Sequence, residues 1–238
     1  MTEMPALALL AGGLATRLGD LTKETPKAML EVAGEPFIAH QLRLLRREGV
    51  PRVVICAGYL AKQIEAYVGD GSRFGIPVGY KIDGPRLLGT GGALRAALDE
   101  LGDPFLVMYG DSWLDIPYAP VVEAFRRSGR PALMTVFRNE GQWDTSNVWF
   151  ENGRVRLYDK RERLPQMRHI DWGLSVIRSD ALAARPAGEP FDLGDLYSEL
   201  SRQGQLAGYE VTTRFYEIGS AAGLRETDAL LQTQREQL

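Results

Sequence analysis

Residues 6–13 read Ala6-Leu7-Ala8-Leu9-Leu10-Ala11-Gly12-Gly13, an apolar run of strand length that breaks into two glycines. An uninterrupted apolar run of this length fits a strand buried on both faces. Paired glycines directly behind it let the backbone come close to a ligand and aim N–H groups at it, a geometry that suits phosphates. The loop continues through Leu14, Ala15, Thr16, Arg17 and Leu18 and reaches Pro26-Lys27, so Arg17 and Lys27 can add localised positive charge. It is not a Walker A loop, because no Gly-Lys-Ser/Thr follows. Nor is it a dinucleotide fingerprint, because the third glycine is missing. On its own, Gly-Gly after a strand is equally readable as a tight turn.

Outward from this stretch, strand-length and helix-length segments alternate, as in a three-layer α/β fold with a mixed, mostly parallel central sheet. A helix is expected from Pro36 to Gly49, burying Ile38, Leu42 and Leu45, followed by a strand from Val53 to Ala57. A second helix is expected over Leu60 to Val68 and a strand over Val78 to Ile82. A third helix, Thr90 to Leu101, opens from a glycine-rich loop, and the strand Pro104 to Tyr109 ends in Gly110-Asp111, where an open α/β sheet places its chemistry. After residue 138 the pattern shifts to shorter strands, Val148 to Glu151 and Arg154 to Tyr158, joined by the hairpin signal Asn152-Gly153. A strand at Leu174 to Ile177 and helices at Leu193 to Arg202 and Ala221 to Gln237 complete the expectation. No repeat, low-complexity tract or linker separates the halves.

The chain has 238 residues, 45% hydrophobic and 25% charged, enough for one large domain with a substantial core. Its formal net charge of -3 offers no global field for nucleic acid or an anionic membrane, so any anion must be held by a few placed groups. The single cysteine, Cys56, sits in an apolar strand run and reads as a packed residue in a reducing compartment. The N-terminus lacks a basic region and the length of a signal peptide, and no stretch reaches the ~18 apolar residues of a membrane span. A cytoplasmic location is expected.

The string Ala11-Gly12-Gly13-Leu14-Ala15-Thr16-Arg17-Leu18 with Pro26-Lys27 resembles the signature of the sugar-1-phosphate nucleotidylyltransferases. Further ordered matches are Gly34-Glu35-Pro36-Phe37-Ile38, Gly69 to Gly75, Leu88-Gly89-Thr90-Gly91-Gly92-Ala93-Leu94, Gly110-Asp111, Asp159-Lys160 and Glu217-Ile218-Gly219-Ser220. The resemblance implies a Rossmann-like nucleotidyltransferase domain over 1–238, with a nucleotide half, 1–138, and a sugar-phosphate half, 139–238. It implies that a nucleoside triphosphate and a sugar 1-phosphate become a nucleotide sugar and pyrophosphate, with Mg²⁺ as cofactor. Leu10, Ala11, Gly12, Gly13, Thr16, Arg17 and Lys27 would bind the triphosphate, and Gly89, Thr90 and Gly91 the base against bare backbone. Asp111 matches the metal aspartate. Glu217 stands where relatives carry a second carboxylate, one carbon shorter, and is open to direct ligation, ligation through water, or none.

On the acceptor side, Lys160 matches the lysine that grips the sugar phosphate, while Asp159 replaces a glutamate and Arg161 a proline. Asn147 stands where a glycine is common, and Asp171-Trp172-Gly173 where a sugar-facing Ala-Gly-x-Tyr pattern is expected. These departures blur the substrate. Among short relatives the chain most resembles heptose, muramate and mannose 1-phosphate enzymes, and GTP with heptose 1-phosphate is the first expectation. Alternatives are a cytidylyltransferase acting on phosphocholine or a phosphonate, and a non-catalytic regulatory subunit of the same fold.

The remaining polar candidates read as structural. His40 and His169 have no ligand pattern beside them, and Trp113 fits a site wall or the core equally. Leu224, Leu230 and Leu231 fit either a closed core or a homo-oligomer face.

Overall fold

The structure is a computed structural model that describes residues 3–13, 16–84 and 86–236; the side chains of Thr16, Arg17, Asp20 and Glu236 lie outside the description. The first half contributes β1 (Leu7–Leu10), a small hairpin of β2 (Glu31–Val32) and β3 (Glu35–Pro36), α1 (Phe37–Arg47), β4 (Val53–Ala57) and α2 (Ala61–Val68). It continues with β5 (Val78–Ile82), α3 (Gly89–Leu101), β6 (Phe105–Tyr109), β7 (Ser112–Trp113), α4 (Ala119–Ser128) and β8 (Ala132–Arg138). The second half adds β9 (Val148–Glu151), β10 (Arg154–Tyr158), β11 (His169–Ile177) and the short α5 (Ser179–Ala183). It ends with α6 (Leu193–Arg202), β12 (Leu206–Val211), β13 (Tyr216–Glu217) and α7 (Ala221–Glu236).

One nine-stranded sheet runs through both halves in the order β5-β4-β1-β6-β11-β8-β12-β10-β9. The pairs β5/β4, β4/β1, β1/β6 and β8/β12 are parallel. β11 enters antiparallel between β6 and β8. The far end curls round, so that β9 also meets β11 through Val148 and His169. The hairpin β9–β10 turns on Asn152 and Gly153, both at positive φ, the conformation a two-residue primed turn requires.

Alternate residues of β1 sort the molecule into layers. Leu7 and Leu9 face a core with Ile38, Leu42 and Leu45 of α1, Ile64 of α2 and Val121 of α4. Ala8 and Leu10 face the opposite core, with Leu94 and Ala97 of α3 and Leu196 and Leu200 of α6. Each large aliphatic side chain buried this way contributes about 1.5–3 kcal/mol. α7 closes a third cluster in which Leu231 packs among Val32, Phe37, Trp113 and Ile218, with Leu224 and Leu230 half-buried at its margin. Trp113 is therefore a core residue.

Most expected elements stand within a residue or two of their places. Two strands inside the sheet, β8 and β12, were not foreseen, and β11 begins at His169 rather than Leu174. The extra length of β11 is a bent segment: its register on β8 shifts between Asp171 and Ser175. Gly173 takes φ +105° there, which a side chain would rarely tolerate.

Candidate active site

β4 and β5 extend the sheet from one side of β1 and β6 from the other, so the strand order reverses at the β1/β6 pair. In open α/β sheets ligands bind outside the strand ends at such a point. A cleft of about 360 Å³ lies there. Its floor is Leu10 to Gly13 behind β1 and Tyr109 to Asp111 behind β6; Cys56, Asp83 and Leu87 line one wall and Gly89, Thr90 and Ala93 another, with Lys27 and Ala28 beside them.

Close approach explains two of the floor glycines. A side chain on Gly110 would come within 3.0 Å of the Leu10 carbonyl oxygen, and one on Gly12 within 3.3 Å of the Gly58 nitrogen. The two loops are thereby pressed together, and Lys27 meets Asp111 over them: Nζ donates to Oδ2 at 2.9 Å. Ser112 Oγ donates to the other Asp111 oxygen at 3.3 Å. The side chains of the expected pair Thr16 and Arg17 lie outside the described residues.

Glu217 lies opposite Ser112 across the β7–β13 pair, and Ile218 N donates to the Asp111 carbonyl at 2.9 Å. Its backbone thus sits beside Asp111. Its carboxylate turns instead to the start of α7, accepting from Gly219 N and, at 2.7 Å, from Ser220 Oγ. Negative charge there complements the helix dipole.

The glycines at the start of α3 also admit a close neighbour from the chain itself. Gly89 and Thr90 line the cleft, while Gly91 is buried against Phe191, whose ring occupies the place a Gly91 side chain would take, 2.1 Å away. Gly91 N donates to the Phe191 carbonyl at 3.0 Å, and a side chain on Gly92 would reach within 2.9 Å of the Glu189 carbonyl oxygen. What approaches this helix start is the chain's own residues 189–191.

The acceptor-side residues do not line the cleft; each holds an internal partner. Lys160 Nζ donates to Asp192 Oδ1 at 3.0 Å. Asp159 accepts from the backbone of Glu162 and Arg161, which chiefly hold its carboxyl below the usual range, and from Arg202. Asn147 Oδ1 accepts from Asp171 N at 3.2 Å. Gly173 N donates to Asp171 Oδ1 at 3.0 Å, and a side chain on Gly173 would lie 3.7 Å from Ser112 Oγ, so this bend reaches the neighbour of Asp111. Asp171 keeps some exposure at its surface while its carboxyl sits deep; burial pushes it up to about 6, with Gly173 N–H and Lys160 pulling the other way.

The structural readings of the other candidates agree with the geometry. His40 Nε2 is 2.8 Å from the Val32 carbonyl oxygen, and His169 Nε2 is 3.0 Å from Glu210 Oε1. Cys56 is buried and burial pushes its thiol up to about 12, far from a reactive thiolate.

The sequence profile described as Nucleotidyl transferase matches residues 7–146, more than half of the chain. The chain belongs to the nucleotidyl transferase family. The N-acetylmuramate alpha-1-phosphate uridylyltransferase of Caulobacter vibrioides is 30% identical over 244 residues, covering 97% of this chain and 99% of its own length. The UTP–glucose-1-phosphate uridylyltransferase of Synechocystis sp. is 26% identical over 226 residues, 87% of this chain, which spans 58% of that relative's length. HddC from Yersinia pseudotuberculosis shares the nucleotidyl transferase fold with a TM-score of 0.81 at 21% identity, over 96% of this chain and 100% of that one.

Within this nucleotidyl transferase, sequence reasoning missed Asp83, Leu87, Cys56 and Tyr109 as cleft residues. Asp83 and Leu87 lie just ahead of the glycine-rich start of α3, whereas Cys56 comes from a distant strand. Their common signal is position: Cys56, Asp83 and Tyr109 lie at or just past the C-terminal ends of β4, β5 and β6, the ends that face the switch point.

Proposed function

We propose that the chain transfers a nucleotidyl group from a nucleoside triphosphate to a sugar 1-phosphate and releases pyrophosphate. The observation that carries this reading is the Lys27–Asp111 pair, 2.9 Å apart in a cleft floored by close-packed backbone at the switch point. A sugar-phosphate oxygen attacks the α-phosphorus and pyrophosphate leaves in line. The attacking oxygen is already anionic, so the protein's task is alignment and charge stabilisation rather than proton transfer. Lys27 and Arg17 would serve the triphosphate and Lys160 the acceptor phosphate.

The donor set fits Mg²⁺. Among the described residues no group of three or more His, Cys, Asp or Glu could cage a metal by itself. A single placed carboxylate plus substrate phosphates and water is the set Mg²⁺ favours, and Asp111 would supply that carboxylate. When bound, the ion neutralises phosphate charge. Glu217 would join it only by leaving the α7 turn.

For the base we infer guanine. Asp83 lies on the cleft wall, with Oδ2 accepting from Leu88 N at 3.0 Å. A carboxylate only accepts. Guanine offers it two neighbouring N–H donors, N1 and N2, whereas uracil offers one N–H flanked by carbonyl oxygens that a carboxylate repels. Heptose 1-phosphate is the acceptor to try first. A second reading, uridylyl transfer to N-acetylmuramate 1-phosphate, is favoured by the end-to-end match to the Caulobacter relative.

Pyrophosphate release with Mg²⁺, across four nucleoside triphosphates and heptose, N-acetylmuramate, mannose and glucose 1-phosphates and phosphocholine, separates these readings. We expect GTP to dominate, and Asp83→Asn to lower its advantage about 10- to 100-fold, the worth of hydrogen bonds to a charged group. UTP with N-acetylmuramate 1-phosphate as the active pair would replace the guanine reading. Silence throughout with triphosphate binding intact would favour the regulatory subunit.

A further inference from the structure

Residues 189–194 touch both the start of α3 at the cleft and Lys160. On one side they clasp the start of α3. Phe191 N donates to the Leu88 carbonyl at 3.1 Å, Gly91 N and Gly92 N donate to the Phe191 carbonyl at 3.0 and 3.3 Å, and Leu193 N donates to Thr90 Oγ1 at 2.8 Å. Gly89 and Thr90 are cleft residues, so the helix turn that faces the cleft is the turn that this segment grips from behind.

On the other side the same segment begins α6. Asp192 caps that helix, accepting from Gly194 N at 2.6 Å, and the same oxygen accepts from Lys160 Nζ at 3.0 Å. A side chain on Gly194 would lie 3.0 Å from Lys160 Cε and Nζ, so the missing side chain leaves the lysine its place. α6 in turn holds the strand that leads to Lys160: Tyr158 N donates to Ser201 Oγ at 3.1 Å, and the Tyr158 and Tyr197 rings meet edge to face.

We propose that residues 189–194 form a strap that couples the nucleotide site to the acceptor lysine, with Phe191 and Asp192 as positioning residues. A nucleotide seated on Gly89 and Thr90 rigidifies the start of α3. Through Phe191 and the Thr90–Leu193 hydrogen bond it fixes the start of α6, and through Asp192 it fixes Lys160. Acceptor affinity then rises once the nucleotide is bound. This rests on the nucleotidyl-transfer reading above.

Hydrogen exchange on the full chain, with Mg²⁺ and each of the four nucleoside triphosphates in turn, tests the strap without an acceptor. In the wild-type chain a bound triphosphate is expected to slow exchange about tenfold, in the usual range of site coupling, both at 88–94 and at 189–196. In Phe191→Ala, and in the milder Phe191→Leu should the first not fold, protection is expected to persist at 88–94 and fall away at 189–196. Protection confined to 88–94 in the wild-type chain overturns the strap while leaving the nucleotide reading intact. No protection with any triphosphate removes both. Asp192→Asn keeps a capping oxygen for Gly194 N but loses the charge that holds Lys160. With the active pair from the substrate matrix, we expect its acceptor KM to rise about tenfold at unchanged triphosphate KM and unchanged melting temperature. An unchanged acceptor KM overturns the Lys160 end of the proposal.

Discussion

The two ends of the site are built on different principles. On the proposed nucleotide side, Leu10 to Gly13, Lys27, Gly89, Thr90 and Asp111 converge on one cleft, and most of what they present is backbone held in place by the parallel sheet. On the proposed acceptor side Asn147, Asp159 and Lys160 each hold an internal partner, and none of the three lines the cleft. One end is a preformed cradle; the other is a set of polar side chains satisfied among themselves. The cradle works through the geometry of its backbone, whereas on the proposed acceptor side existing hydrogen bonds, each with a net worth of only about 0.5–1.5 kcal/mol, hold the polar side chains in position.

The largest test of this contrast falls on the cradle. Asp111→Ala is expected to cut pyrophosphate release about 10²- to 10³-fold, the scale of losing one placed charge-stabilising group, with the melting temperature kept. Retained activity would remove Asp111 from the reaction. The acceptor end should respond differently: Lys160→Ala is expected to raise acceptor KM about 10-fold or more at near-constant triphosphate KM. A rise in both constants would erase the distinction between the two ends.

The next effect is on stability. Asp171 is pushed up to about 6 by burial, so its ionisation opposes folding once the pH passes that value. The favourable contribution of its neutral form is complete below its ordinary value of 3.8 and is lost as pH rises through about 6. Asp171→Asn, which keeps an oxygen for Gly173 N, is therefore expected to melt higher than the wild-type chain at pH 8. The two curves should converge as the pH falls to about 4. Melting curves that stay parallel across this range would mean that the carboxyl is solvated.

The smallest effect is expected at Glu217. Glu217→Gln retains an oxygen for Gly219 N and Ser220 Oγ and removes the charge at the start of α7, costing about 0.3–1 kcal/mol of stability with turnover little changed. A hundredfold loss of turnover, on the scale of Asp111→Ala, would instead show that Glu217 leaves the helix turn during the reaction.

Legibility in the sequence followed the same divide. Strands β1, β4, β5 and β6 are short apolar runs between clear turns, and they were readable. β8 is marked by Gly129 and Pro131 after α4 and by its own apolar run, Ala132 to Phe137, and was passed over, whereas β12 carries Gly208, Tyr209 and Glu210, which break its apolar pattern. β12 is set as a strand by its long-range pairing with β8, which local propensity does not report. The start of β11, His169-Ile170-Asp171-Trp172, is likewise too polar to announce itself. At the site, glycine loops and the strand-end aspartate were visible because their chemistry is local. Asp83 and Leu87 were not, since their place on the cleft wall comes from the sheet that gathers the strand ends, and the Phe191 clasp was not, since its partners on α3 are distant in the chain. Three glycines at the start of α3 did signal a close neighbour; the sequence alone could not say that the neighbour for Gly91 was Phe191.

The curl of the sheet carries one further consequence, for how the chain behaves in a crowd. β9 turns back onto β11 and draws the far end of the sheet into a ring, closed by the single pairings Val148–His169 and Arg154–Ala207. The open border of the nine-stranded sheet is β5, Val78 to Ile82. Strand-by-strand self-association has a natural starting place there, and Lys81 stands on it as the kind of charged residue that discourages such growth.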